Sequence, residues 1–156
     1  MKRSIITFIL INWLAVSLAE GGFKVPRSAY RMSQIADAQV EARERQKAIA
    51  IIYSDENVGC PIQSRASEED IEAFDNGSII VYAHWGNDWE SLPVKAREAI
   101  NGLRIRAMPV AIVMDSELQE VMAAVPCRSD EERRDAMKQG KKAVSEYRKQ
   151  KTINRK

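Results

Sequence analysis

Cysteine, histidine, glycine and proline are all scarce in this chain. Its 156 residues contain two cysteines, one histidine, seven glycines and five prolines. Cys60 and Cys127 lie far apart, so no Cys-x-x-Cys pair exists and no disulfide-dense scaffold is available. With His84 as the single histidine, no Cys/His metal spacing arises, and none is expected. No phosphate-cradling glycine loop, Ser-His-Asp set or nucleic-acid motif appears. Repeats and low-complexity tracts are absent too. What remains is an ordinary globular composition, 45% hydrophobic and 29% charged, long enough for one domain with one core.

The first residues read as a targeting signal. "MKR" supplies a positive start, "SIITFILINWLAV" an uncharged apolar stretch, and Ser17 and Ala19 the small residues expected before cleavage at Glu20. The competing reading is a membrane anchor, but the run is short for a span of about 20 residues. No cysteine follows it, which argues against a lipoprotein leader. The organisation expected is a signal peptide over 1–19, a lead segment over 20–31, one domain over 32–150 and a basic tail over 151–156. Export to a periplasmic or extracellular space follows, and such an oxidising destination favours pairing of the two cysteines.

Loss of Lys2 and Arg3 with the leader would leave 22 basic against 22 acidic residues, a balance that gives no sign of nucleic-acid binding. The cations are unevenly placed. Lys138, Lys141, Lys142, Arg148, Lys149, Lys151, Arg155 and Lys156 crowd the C-terminal end, with Glu146 as the only acid among them. The plain reading, taken here, is a solvated last helix with cations near its C-terminus. The sharper one is contact with anionic lipid or an acidic partner.

Along the chain, "SAYRMSQIADAQVEARERQKA" is amphipathic at helical spacing, with Ile35, Ala38 and Ala42 on one face. "AIAIIYS" and "SIIVYAHW" are β-rich runs without polar alternation and read as strands buried on both faces. Between them "SEEDIEAFDNG" is a helix with Ser67 as its N-cap, acids in its first turn and Asn76-Gly77 at its end. "SLPVKAREAINGL" is a helix with Pro93 in its first turn. "PVAIVMD" and "EVMAAVP" form a hairpin across Ser116–Gln119, and a last helix opens at Ser129. The element order predicts a three-layer α/β sandwich around a mixed sheet, its first two strands parallel.

This order resembles the thioredoxin-like fold family. The most specific match is "GLRIRAMPVAIVMDSELQEVMAAVP", where a loop leads through a residue-proline step into two strands. In that family the proline is cis and faces the redox site, and Met108-Pro109 occupies its place. The upstream "ADAQVEARERQKAIAIIYSDENVGC" is similar to secreted domains of the same family. The match covers about Met32 to Tyr147.

The departure lies in "SDENVGCPIQS", where the family carries Trp-Cys-x-x-Cys. If Cys60 stands at the second cysteine position, Asn57 replaces the nucleophile. If it stands at the first, Gln63 replaces the resolving thiol. The second alignment sets Cys60 before Pro61, where a helix start would lower a thiol pKa. Ser67, however, is the clearest N-cap and would start that helix too late.

The resemblance implies where a second thiol comes from. In such a sheet Cys60, His84, Trp85, Met108, Pro109 and Cys127 converge at one edge. The reading is a secreted or periplasmic protein with thiol–disulfide exchange through Cys60 and with Cys127 as nonlocal partner. The alternative is a redox-inactive domain that binds polypeptide beside Met108, Pro109, Trp85 and His84, with Cys60–Cys127 as a structural disulfide. His84 near Cys60 would favour a thiolate. Trp85 and Trp89 either line a peptide groove or pack as core and rim aromatics. The expected partner is a polypeptide or protein thiol or disulfide, without a cofactor, a metal or nucleic acid.

Overall fold

The run Ala48–Ser54 decides the architecture, because its seven residues are all buried. A strand alternates its side chains between faces, so a run that is apolar throughout needs a hydrophobic layer on both. The computed structural model, which describes residues 22–103, 107–127 and 130–153, supplies both layers. The candidate leader over 1–19, the N-cap assigned to Ser129 and the tail end at 154–156 lie outside the described residues.

Five strands form one mixed sheet in the order β1-β3-β2-β4-β5. They are β1 (Tyr30–Arg31), β2 (Ala48–Ser54), β3 (Ser78–His84), β4 (Val110–Met114) and β5 (Val121–Val125). β1 and β2 each run parallel to β3, while β4 is antiparallel to both β2 and β5. Four helices flank the sheet: α1 (Ile35–Glu44), α2 (Pro61–Phe74), α3 (Val94–Gly102) and α4 (Asp130–Ile153). Ile49, Ile51, Tyr53, Val81 and Ile112 face a core shared with Ala38 and Ala42 of α1 and with Ala96 and Ile100 of α3. Ala50, Ile52, Ile80, Tyr82 and Val113 face a second core with Ile71 and Phe74 of α2 and Val144 of α4. The chain is therefore α/β, with helices on both sides of a mixed five-stranded sheet. Among the described residues no helix is long and apolar enough to cross a membrane.

Three local expectations change. The first amphipathic stretch is not helical from its start. Tyr30 and Arg31 pair with Val81 and Tyr82 as β1, and a 3-10 turn over Met32–Gln34 precedes α1. Tertiary contacts override local pattern here: Arg31 bonds Glu56 at 2.9 Å and lies 4.8 Å from the Tyr82 ring centre. The second change concerns Ser67, which is no N-cap. α2 starts at Pro61 with Cys60 as its N-cap, and Ser67 sits fully buried within it. Pro61 suits the first helical position, where the missing N–H has no partner to lose. Third, Pro93 is the N-cap of α3 rather than a residue of its first turn.

Candidate functional site

The C-terminal edge of the parallel strands gathers the candidate residues. Register fixes this edge: Ser54 pairs with His84, Tyr53 with Val110, and Ala111 with Val125. Cys60 follows β2, Trp85 follows β3, Met108 and Pro109 precede β4, and Cys127 follows β5. The Met108–Pro109 peptide bond is cis, and Pro109 is buried against the start of β4.

Cys60 is carried by a braced loop. Asp55 folds the turn by accepting from the Asn57 amide at 2.9 Å, and its carbonyl accepts from Val58 at 3.2 Å. The Tyr82 hydroxyl accepts from the Glu56 amide and donates to the Ser54 carbonyl, at 2.9 and 3.0 Å. This buried phenol is pushed up to about 12, chiefly by desolvation. From the other side, the Ser67 hydroxyl donates to the Gln63 carbonyl at 2.9 Å. Its proton is thereby used, so the 2.7 Å contact with Ser54 is a donation from Ser54. This hydroxyl pair fixes α2 to the end of β2, and with it the N-cap Cys60.

Cys60 and Cys127 are both half-buried free thiols. Burial pushes the Cys127 thiol up; the Arg133 guanidinium opposes this, while negative charge at Asp70 and Cys60 adds to it. Cys127 also lines a cavity of about 470 Å³ with Ile62, Ala66 and Arg133.

Behind Cys127 lies a buried ion pair. Arg133 donates to Asp70 Oδ1 at 2.7 Å, to the Ala66 carbonyl at 2.6 Å and to the Pro126 carbonyl at 3.4 Å. Asp70 is fully buried, its Oδ2 lacks a hydrogen-bond partner, and so does Arg133 Nε. Desolvation pushes the Asp70 carboxyl up to about 7 against the pull of Arg133. Reading the acids after Ser67 as a helix first turn misses this residue. A helix begun at Pro61 would have found it, because Ala66, Asp70 and Phe74 then share one face at four-residue spacing.

His84, at the end of β3, is held by its own neighbours. Its Nδ1 lies 2.8 Å from the Trp85 carbonyl, which can only accept, so Nδ1 carries the proton. Its Nε2 faces Asp55 Oδ1 at 3.7 Å. Trp85 stacks on Tyr53 with centroids 4.6 Å apart, and Trp89 tilts against the same ring at 5.9 Å. These three aromatics and Ile100 enclose a cavity of about 160 Å³ beside the first core. No protein-family model matches the chain, and no curated protein matches it. Among the described residues, no three His, Cys, Asp or Glu side chains gather as a metal site would require.

Proposed function

We propose that this chain is an exported thioredoxin-like protein that exchanges thiols and disulfides through Cys60, with Cys127 as its nonlocal partner. The observation that carries the reading is two half-buried free thiols at one sheet edge, Cys60 after β2 and Cys127 after β5. The strand order and the cis Met108–Pro109 step at the head of β4 support the family assignment. Cys60 at the N-cap of a 14-residue helix supports its alignment with the first cysteine of the family motif.

The roles follow from the environments. Burial pushes the Cys127 thiol up, while Cys60 stands at the N-terminus of α2, so the first attack is assigned to Cys60. Its thiolate attacks a substrate disulfide, giving a mixed disulfide and releasing one substrate thiolate. Cys127 then gives up its proton and attacks Cys60 Sγ, which releases the second substrate thiol and leaves Cys60–Cys127 as a disulfide. The substrate gains two electrons and the protein loses two. An external dithiol reductant returns it to the starting state.

A second reading, a redox-inactive domain that binds polypeptide, is favoured by the Tyr53, Trp85 and Trp89 cluster at the same edge. Reduction of insulin disulfides with dithiothreitol as the terminal donor separates the two. Exchange chemistry requires catalysed turnover by the wild-type protein and only the background rate with Cys60→Ser. Background turnover by both proteins selects the binding domain. Thiol trapping across a glutathione series adds the potential, expected between about −120 and −270 mV for an exchanging pair and below about −300 mV for a staple.

A further inference from the structure

A groove of about 700 Å³ runs between the C-terminal end of α2 and the second half of α4. Gly77, on its wall, leads directly into the start of β3, so the groove lies at the sheet edge opposite the cysteines. Its floor is apolar, formed by Ala73, Phe74 and Val144, the last two buried in the second core. Ile153, 70% exposed, extends the apolar strip to the end of α4. Lys141, Arg148 and Lys149 stand along the same helix face, and no acid lines the groove. Among the described residues no carboxylate pairs with these three, whereas Lys142 leans toward Glu146 at 3.9 Å.

We propose that this groove binds one anionic amphiphile: a single acyl chain bearing a carboxylate or phosphate head. The apolar floor covers the chain, while the three cations meet the head and lay their alkyl stems along it. The volume falls in the range of about 300–1,000 Å³ typical of small-molecule sites.

The test is calorimetric titration of the full chain with oleate and with 1-oleoyl lysophosphatidylglycerol, both below micelle-forming concentration. Zwitterionic 1-oleoyl lysophosphatidylcholine and inorganic phosphate serve as controls. Oleate and the lysolipid distinguish a free fatty acid from a lipid headgroup as the source of the anion. Saturable one-to-one binding of at least one of them is expected. It weakens by at least about tenfold when Lys141→Glu, Arg148→Glu and Lys149→Glu are combined. Ala73→Trp, which fills the floor and leaves the charges, weakens it as well, with folding of both variants checked by circular dichroism. The proposal is overturned by no saturable binding of either anion, by equal binding of the zwitterion or of phosphate, or by binding unchanged in the charge-reversed protein. Binding only to vesicles of phosphatidylglycerol overturns it too.

Discussion

At the scale of single residues, Asp70 and Arg133 carry the largest electrostatic stakes. Both are buried, Asp70 Oδ2 has no hydrogen-bond partner and Arg133 Nε reaches only Glu69 at 4.0 Å, so their attraction works against two desolvation penalties. Such a pair is costly to break and cheap to replace whole. Arg133→Met leaves the buried Asp70 carboxyl protonated and without its partner, and is expected to cost about 1–3 kcal/mol. Asp70→Leu leaves the guanidinium with the Ala66 and Pro126 carbonyls and with Glu69 at 4.0 Å, at a similar cost. The double variant removes both charges and should recover most of the loss. Urea denaturation of the four proteins closes the cycle. Losses that simply add would mean the pair is solvated and uncoupled. This pair was hidden in the sequence for two reasons. Its members are 63 residues apart. Asp70 also sits behind Ser67, whose hydroxyl and following acids imitate an N-cap while in fact it bonds Gln63 inside the helix.

At the scale of elements, the docking of α4 depends on a missing side chain. A Cβ at Gly140 would meet the Phe74 ring at 2.9 and 3.1 Å and Ala123 Cβ at 3.5 Å. Alanine in a helix interior is ordinarily better than glycine by about 1 kcal/mol. Here Phe74 is locked in the second core and has little room to give way. Overpacking of this kind costs about 1–3 kcal/mol, so Gly140→Ala should destabilise on balance. A rise in thermal midpoint with this substitution would show that α4 shifts freely. Other elements differ in how visible they are before folding. β2 and β3 stand out because two-sided burial demands an unbroken apolar run. β1 does not, since two residues inside an amphipathic stretch become a strand only through pairing with Val81 and Tyr82. The start of α2 was misplaced because acids after Ser67 outweighed the proline at its true first position.

At the scale of the whole molecule, connectivity carries the candidate residues to one edge, and the order of the strand runs made that legible. Connectivity does not set side-chain direction, so the partners of His84 came only with the structure. A Cys60–Cys127 bond would join the N-terminus of α2 to the end of β5 and close a loop that holds α2, β3, α3, β4 and β5. In the chain-entropy picture a closed loop of this length stabilises the fold by roughly 2–5 kcal/mol. Linkage then requires the fold to stabilise the bond by the same amount. At about 30 mV for each 1.4 kcal/mol, a gain of about 3 kcal/mol lowers the potential by about 60 mV relative to the unfolded chain. Stability and redox function are thus read from one quantity. Urea midpoints of the oxidised and dithiol forms, with Cys127→Ser as the uncrosslinkable control, measure it. A gain near 2 kcal/mol leaves the pair easier to reduce, as exchange chemistry requires. A gain of 5 kcal/mol or more pulls it by about 100 mV toward a permanent staple. Equal midpoints for the two forms would mean that the bond strains the sheet edge as much as it constrains the unfolded chain.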